Sequence, residues 1–134
     1  MIYVLDAAVV VAALRAGEPS HATALRRCTA FFAGVDEVVV PAIFDVEVAS
    51  ALLRRGAATA TVEALFSQHF ASRRLVTIGP RAATSARRVA SLTKLRAADA
   101  LYVWVARHEG LPLVTLEQEI LQRAPLAGVV ASLP

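Results

Sequence analysis

The sequence predicts an α/β fold, a three-layer sandwich in which helices cover both faces of a central, mostly parallel β-sheet. Short apolar runs of β-prone residues alternate along the chain with longer segments of helical periodicity, as in consecutive strand–helix–strand units. There is no internal repeat, low-complexity tract or linker. With 134 residues, of which 57% are hydrophobic and 19% charged, the chain can form one domain with a substantial core, which we expect to cover residues 1–134.

Five runs of the sequence are predicted to be strands. Each is short and apolar, as a strand buried on both faces requires, and Val38, Val39 and Val40 are typical. Gly79 and Pro80 follow the third run, and the last run is expected to lie at an edge of the sheet. In order, the predicted strands cover residues 2–5, 38–40, 75–78, 112–116 and 129–132.

Seven segments are predicted to be helices, and most of them end at a glycine. The first stops before Gly17, Ser20 is expected to cap the second, and Gly34, Gly56 and Gly110 stop the second, third and sixth. The sixth is apolar nearly all round, so we expect it to be central. In order, the predicted helices cover residues 7–16, 21–33, 42–55, a segment from Thr59 or Thr61, 81–92, 97–109 and 117–123.

Four acidic residues lie where an apolar chain tolerates them least. Asp6 and Glu117 close the first and fourth predicted strands, and Glu47 and Asp99 lie in the first turns of two apolar helices. Because the carboxyl ends of parallel strands meet at one edge of a sheet, we expect all four carboxylates to converge there. A carboxylate in apolar surroundings becomes neutral, pairs or binds a metal. The sequence therefore predicts a metal site made of these four acids.

Each of the four acids also has a simpler structural explanation. Asp6 can cap the helix that follows it, and Asp99 can interact favourably with the dipole of its own helix. Glu47 can pair with Arg54, two turns further along the same helix, and Glu117 can start the last helix. These alternatives account for the acids one at a time, whereas the convergent site accounts for all of them together.

The chemistry of such a site follows from its ligands. Carboxylates without a histidine or cysteine partner select hard cations such as Mg²⁺ or Mn²⁺, and sites of this kind typically cleave phosphodiesters. His21, His69 and His108 are scattered without zinc spacing, and the last two are expected on helix surfaces. Phosphate-binding glycine loops and the serine-hydrolase elbow are absent, which disfavours an NTPase, a dinucleotide-binding protein and a hydrolase triad.

The chain has a formal charge of +3, and Lys94 is its only lysine. No acid lies between Glu63 and Asp99, and seven basic residues do. This basic strip fits two interpretations, a surface that follows a nucleic-acid backbone and a solvated helix face. The basic strip consists of Arg73, Arg74, Arg81, Arg87, Arg88, Lys94 and Arg96.

Asp45, near Glu47, is a further acid of the chain. It is expected to be solvated or to cap a helix.

The single cysteine, Cys28, excludes an internal disulfide and is expected to lie in the core among apolar neighbours. With one cysteine and no signal peptide at its start, the chain is expected to be cytoplasmic. The apolar run from Ala7 to Leu14 is too short to cross a bilayer, so no membrane association is expected.

The segments that carry the four acids resemble the PIN domain, and most closely the VapC toxins of type II toxin–antitoxin pairs. The resemblance covers the whole chain, and its most specific part is the DALY sequence at 99–102. The matching segments are YVLD at 3–6, PAIFDVEVASALLRR at 41–55, LRAADALYVWVA at 95–106 and LVTLE at 113–117.

This resemblance implies a PIN-like α/β sandwich and a Mg²⁺- or Mn²⁺-dependent endoribonuclease acting on RNA. By position, Asp6 and Asp99 are the main metal ligands, while Glu47 and Glu117 act directly or through water. Thr115 matches a frequent family hydroxyl and is expected to help hold the acids. A VapB-like antitoxin is the implied partner. A homodimer is expected as well, because the apolar excess of the chain exceeds what an ordinary surface needs.

The sequence departs from the family pattern at two places. The fourth acid of the family is usually aspartate, so Glu117 carries its carboxylate about one bond length further. Ala7 and Ala8 lack the hydroxyl that the family often has after the first acid. These departures leave open a non-catalytic RNA-binding or scaffold member of the same fold. A phospho-acceptor receiver domain is disfavoured, because the first strand ends in Asp6 alone and the third in residues 77–79, which include no acid.

Overall fold

The computed structural model describes residues 1–134, and its centre is a five-stranded sheet in which every pair of neighbouring strands is parallel. The central strand, β1, has Tyr3, Val4 and Leu5 fully buried, as expected for a strand covered on both faces. The predicted fold class is thus confirmed. The strands are β1 (Ile2–Leu5), β2 (Glu37–Pro41), β3 (Arg73–Val76), β4 (Leu113–Val114) and β5 (Ala131–Ser132), and their order across the sheet is β3-β2-β1-β4-β5.

Seven α-helices surround the sheet, and none of them combines the length and apolarity needed to cross a membrane. The predicted central helix is indeed central, since it packs against β1, β2 and β4 and buries the run from Tyr102 to Ala106. The helices are α1 (Ala7–Ala13), α2 (His21–Phe32), α3 (Ile43–Arg54), α4 (Thr59–Gln68), α5 (Pro80–Thr93), α6 (Ala97–Glu109) and α7 (Gln118–Arg123), followed by a 3₁₀ turn (Ala124–Ala127).

The hydrophobic core is a contiguous cluster of 34 buried residues that draws on both sides of the sheet. Four phenylalanines from three helices surround Phe70, whose ring centroid lies 4.9 to 6.4 Å from theirs. Aromatic pairs of this kind add to the stabilisation from burial alone. Cys28 is fully buried in the same core, as predicted.

Several predicted boundaries were wrong by two or three residues. β3 starts at Arg73 instead of residue 75, because its register on β2 pairs Val38 with Arg73 and Pro41 with Val76. A strand at the edge of a sheet need not be apolar, so the hydrophobic pattern did not reveal that the strand begins at the two arginines. β4 shrinks to two residues, matched to the two residues of β5. Helix α1 ends at Ala13, one turn before Gly17.

Helix α2 begins at His21 as predicted, but the expected cap is absent. The side chain of Ser20 forms no capping hydrogen bond. The start of the helix is instead tied to α1, because Nδ1 of His21 lies 2.9 Å from the carbonyl oxygen of Ala12. Because Ser20 does not cap α2, its hydroxyl is free for another contact.

Candidate active site

The four acids predicted from the sequence line one cleft of about 430 Å³ at the carboxyl edge of the sheet. Asp6 follows β1 and Glu117 follows β4. Asp99 comes from the first turn of α6 as predicted, whereas Glu47 comes from the second turn of α3, whose first turn holds Asp45. Their exposure rises from the floor to the rim, since Asp6 is buried, Glu47 and Asp99 are partly buried, and Glu117 is exposed. We name this the acidic cleft.

Asp6 forms the floor of the acidic cleft, and two hydrogen bonds fix its carboxylate. The hydroxyl of Thr115 donates to Oδ2 at 2.8 Å, and the backbone N–H of Ala8 donates to Oδ1 at 3.3 Å. Asp6 therefore also caps α1, so the simpler explanation and the cleft position hold together. Burial raises the pKa of Asp6 to about 7, although both hydrogen bonds act in the opposite direction.

Thr115 connects two of the predicted site residues. Its hydroxyl is fully buried, donates to Asp6, and accepts a 3.0 Å hydrogen bond from the backbone N–H of Glu117. Since Ala7 and Ala8 have no hydroxyl, Thr115 supplies the only side-chain hydrogen bond to Asp6. The bond from the N–H of Glu117 also fixes the backbone at the start of α7, where the side chain of Glu117 makes no capping contact.

Glu47 is held by a residue that the sequence analysis missed. The hydroxyl of Tyr102 donates a 2.8 Å hydrogen bond to Oε1 of Glu47. The signal was present in the sequence, because Tyr102 lies one turn after Asp99 and residues three apart share a helix face. Burial raises the pKa of Glu47, the bond from Tyr102 opposes this, and the charge of Asp99 adds to it. The alternative explanation for Glu47, a pair with Arg54, is wrong, since Arg54 forms no ion pair.

Asp99 and Glu117 stand near the open side of the acidic cleft. Burial raises the pKa of Asp99, the negative charge of Glu117 raises it further, and Arg96 at the start of α6 acts against both. No ion pair involves Asp6, Glu47, Asp99 or Glu117. The negative charge of these acids is therefore not balanced by a salt bridge within the chain.

A hard divalent cation fits this set of ligands, because all the donors are carboxylate oxygens and their charge is uncompensated. As the side chains lie in this structure, no three of the histidine, cysteine, aspartate and glutamate residues form a group that could hold an ion. Asp6 is fixed by its hydrogen bonds, so a shared ion would require the side chains of the more exposed acids to turn toward it.

The expectation for Asp45 was wrong. Its carboxylate accepts two 2.7 Å hydrogen bonds from the guanidinium of Arg73 and so joins α3 to β3. Arg74 is engaged as well, with Glu37 and Glu109. Two of the seven members of the basic strip are thus structural, and the other five form no ion pair.

The remaining two histidines were expected on helix surfaces, and this is confirmed for His108 but wrong for His69, which lies just outside its helix. His69 follows the end of α4 and is exposed, and the exposed ring of His108 stacks on Trp104 with 5.3 Å between centroids. Neither residue lines the acidic cleft. A histidine base therefore has no support from the geometry.

The parallel sheet and the acidic cleft at its carboxyl edge define a class of α/β proteins, and comparison with known proteins identifies the family within it. The model of the PIN domain family matches residues 3–125. The chain therefore belongs to the PIN domain family. No curated protein sequence matches it closely enough to be counted as a relative.

Solved structures share the fold at low sequence identity. VapBC2 from Rickettsia felis, bound to a DNA fragment from its promoter, is similar with a TM-score of 0.69 and 14% identity over 100% of this chain and 99% of the other. FitAB bound to an IR36 DNA fragment gives 0.71 and 18% over 100% and 95%. PAE2754 from Pyrobaculum aerophilum gives 0.66 and 22% over 98% and 83%.

Proposed function

We propose that this chain is a Mg²⁺- or Mn²⁺-dependent endoribonuclease that hydrolyses RNA phosphodiesters, and that it is the VapC-type toxin of a toxin–antitoxin pair. One observation carries the proposal. Four carboxylates from four separate segments of a PIN-family chain line a single cleft, and none of them has a basic partner. Uncompensated clustered charge of this kind is costly for a fold and useful for binding a cation.

In this proposal Asp6 and Asp99 are the main metal ligands, and Glu47 and Glu117 act directly or through water. A bound divalent cation supplies positive charge that polarises the scissile phosphate and lowers the pKa of the attacking water. Thr115 fixes the orientation of Asp6, and Tyr102 fixes that of Glu47. Such supporting hydrogen bonds keep ligands in position and are commonly as important as the ligands.

Cleavage of single-stranded RNA by the purified protein, with Mg²⁺ or Mn²⁺ and with a chelator, tests the proposal. We expect cleavage that the chelator abolishes and that Asp99→Asn lowers by at least a hundredfold. Glu63→Gln is the matched control, because Glu63 is exposed on α4 and does not line the acidic cleft. Cleavage that persists in chelator, or an Asp99→Asn variant with full activity, would refute the proposed chemistry.

The toxin role rests on similarity. VapBC2 and FitAB are two structures that this chain matches over nearly their whole length. Both were solved in complex with DNA fragments. Exposed apolar side chains on the outer side of α3, Val46 at 66% and Leu53 at 40%, also leave surface for a partner. We include a VapB-like antitoxin, a homodimer and a cytoplasmic location in the proposal.

Expression in a bacterial host tests the toxin role. We expect the wild-type chain to arrest growth, Asp99→Asn to permit it, and co-expression of a small DNA-binding protein encoded beside this chain to restore it. If Asp99→Asn arrested growth as strongly as wild type, the toxicity would not depend on the acidic cleft, and the proposed toxin mechanism would be wrong. The mass of the purified protein in solution tests the homodimer.

A non-catalytic RNA-binding protein of the same fold is the second candidate. It is favoured by the absence of any group of three acids close enough to hold an ion and by the glutamate at the fourth acidic position. It predicts RNA binding that a chelator leaves unchanged, with no cleavage under any metal condition. The same RNA assay therefore separates the two candidates.

A further inference from the structure

The acidic cleft has a second end that the proposed chemistry does not use. Glu47, Ala51 and Arg55 all line it and follow one another at intervals of four residues, so they share one side of α3 and its end. Eight residues at 1.5 Å each place the backbone of Arg55 roughly 12 Å from that of Glu47. The cleft therefore runs along α3, from the acids at one end to an arginine at the other.

Arg55 is the only cationic residue that lines the acidic cleft. Its Nη1 donates a 2.9 Å hydrogen bond to Oε1 of Glu18, in the segment between α1 and α2. That is the single side-chain hydrogen bond of Arg55, whereas a guanidinium carries five N–H donors. Glu18 thus fixes the position of Arg55 at the far end and leaves most of its donors free. Its side chain is 45% exposed, so a ligand can reach it.

A second polar group lines the cleft two residues after Glu18, the partner of Arg55. Ser20 lines the acidic cleft, and its hydroxyl neither caps α2 nor makes any other hydrogen bond within the chain. Between the two ends the wall along α3 is formed by Ala51, whose small side chain leaves the path open. A guanidinium with unused donors and a free hydroxyl in the lining of one cleft are groups suited to a phosphate.

We propose that Arg55 and Ser20 form a subsite for a flanking phosphate of the RNA, a few nucleotides from the bond that is cut. The inference rests on the proposed ribonuclease function and adds a contact that the four acids cannot make. The phosphates of a strand are repelled by the carboxylates at one end of the cleft, so one fixed cation at the far end sets where the strand enters. Arg55 is in this view a substrate-binding residue, and Glu18 positions it.

Arg55→Ala tests the subsite, and Arg54→Ala is the matched control, because Arg54 is the neighbouring exposed arginine, has no ion pair and does not line the cleft. Binding of a fluorescent single-stranded RNA is measured in the Asp99→Asn background with Mg²⁺. We expect Arg55→Ala to weaken binding roughly tenfold, as loss of a charged hydrogen bond does. The slope of log affinity against log salt should fall by about 0.7, the value for one phosphate contact on a single strand. Arg54→Ala should change neither quantity.

Glu18→Gln separates binding from a merely structural role of the ion pair. It weakens the pair with Arg55 but removes a negative charge from the subsite, so we expect RNA affinity equal to or above that of the parent. Loss of affinity in Glu18→Gln together with an unchanged salt slope in Arg55→Ala would assign the pair to structure alone and overturn the inference. In cleavage assays, Arg55→Ala should raise KM for an oligonucleotide with little change in kcat.

The outcomes also separate this inference from the proposed function. Cleavage by the wild type with unchanged binding and KM in Arg55→Ala would leave the ribonuclease in place and remove the subsite. Binding without cleavage would refute the enzyme, and the effect of Arg55→Ala on that binding would still decide the subsite. A protein that binds no RNA would overturn both.

Discussion

The hydroxyl of Thr115 donates a 2.8 Å hydrogen bond to the carboxylate of Asp6, although the two residues are 109 positions apart in the chain. The bond joins the ends of two adjacent parallel strands, β1 and β4. It fixes the most buried acid of the cleft while that acid also caps α1. The orientation of Asp6 is therefore set by the sheet and the first helix together.

Thr115→Val removes this hydroxyl with little change in volume. We expect the activity of the proposed nuclease to fall by about tenfold or more, because supporting hydrogen bonds of this kind commonly contribute that much to a metal site. Thr115→Ser keeps the hydroxyl and should retain most of the activity. Rates measured over a titration of Mn²⁺ check both variants, and equal Mn²⁺ dependence in wild type and Thr115→Val would contradict the assigned role.

Asp6→Asn is expected to change how stability depends on pH when no metal is bound. Burial raises the pKa of Asp6 from 3.8 to about 7, so between these values the folded chain keeps a proton that the unfolded chain has lost. Wild-type stability should therefore decrease as pH rises from about 4 to about 7. The asparagine variant loses this dependence, so its stability relative to that of wild type should rise by on the order of 3 kcal/mol between pH 5 and pH 8.

Denaturant unfolding in chelator at pH 5 and pH 8 measures this difference. The stability of Asp6→Asn relative to that of wild type should be higher at pH 8 than at pH 5. Parallel stability curves would mean that Asp6 titrates near its ordinary pKa in the folded state.

Tyr102→Phe removes the hydrogen bond to Glu47 and leaves the buried ring in place. Because that bond lowers the pKa of Glu47, its loss should raise this pKa and move the acidic limb of the activity profile to higher pH. A fall in stability of about 1 kcal/mol should accompany the shift. Tyr3→Phe is the control, since the buried hydroxyl of Tyr3 has no hydrogen-bond partner and does not line the cleft. An unshifted pH profile in Tyr102→Phe would remove Tyr102 from the site.

The pair of Asp45 and Arg73 is expected to contribute to stability and not to activity. Two 2.7 Å bonds and limited exposure, 30% and 20% for the two side chains, favour a coupling energy of about 1 kcal/mol after allowance for solvent screening. A double-mutant cycle with Asp45→Asn and Arg73→Gln measures it. The more exposed pair of Arg74 with Glu37 should give a smaller value in the same assay. Loss of RNA cleavage in properly folded Asp45→Asn would contradict this assignment.

Glu117 is the most exposed of the four acids, and its variants should show it. We expect Glu117→Gln to lower the cleavage rate by roughly tenfold, well short of the effect of Asp99→Asn, because an exposed ligand acting through water is more easily replaced. Glu117→Asp restores the usual residue of the family and should keep at least wild-type activity. Cleavage by Glu117→Gln at the wild-type rate would exclude Glu117 from the site.

Much of the fold could be predicted because the determining signals are local. Continuous apolar runs marked β1 and β2, and the apolar surface of α6 marked the central helix. The start of the edge strand β3 was predicted two residues too late, because its first residues are arginines. Arg73 and Arg74 form ion pairs with acidic residues and are not buried apolar residues. The local pattern of hydrophobicity cannot predict such pairs, since Asp45 is 28 positions away from Arg73 in the chain.

The sequence by itself determined the class of fold and the identity of four acids that share one edge of the sheet. The local pattern of apolar and polar residues indicates where strands end and helices begin, and in a parallel sheet these positions lie at the same edge. Thr115 was expected to help hold the acids, but only the tertiary structure decided which acid it binds, that Tyr102 holds Glu47, and what lies at the other end of the cleft. Tyr102 on Glu47, Thr115 on Asp6 and Glu18 on Arg55 are contacts between segments far apart in the chain. Such contacts depend on the packing of the whole molecule, which no single stretch of residues specifies.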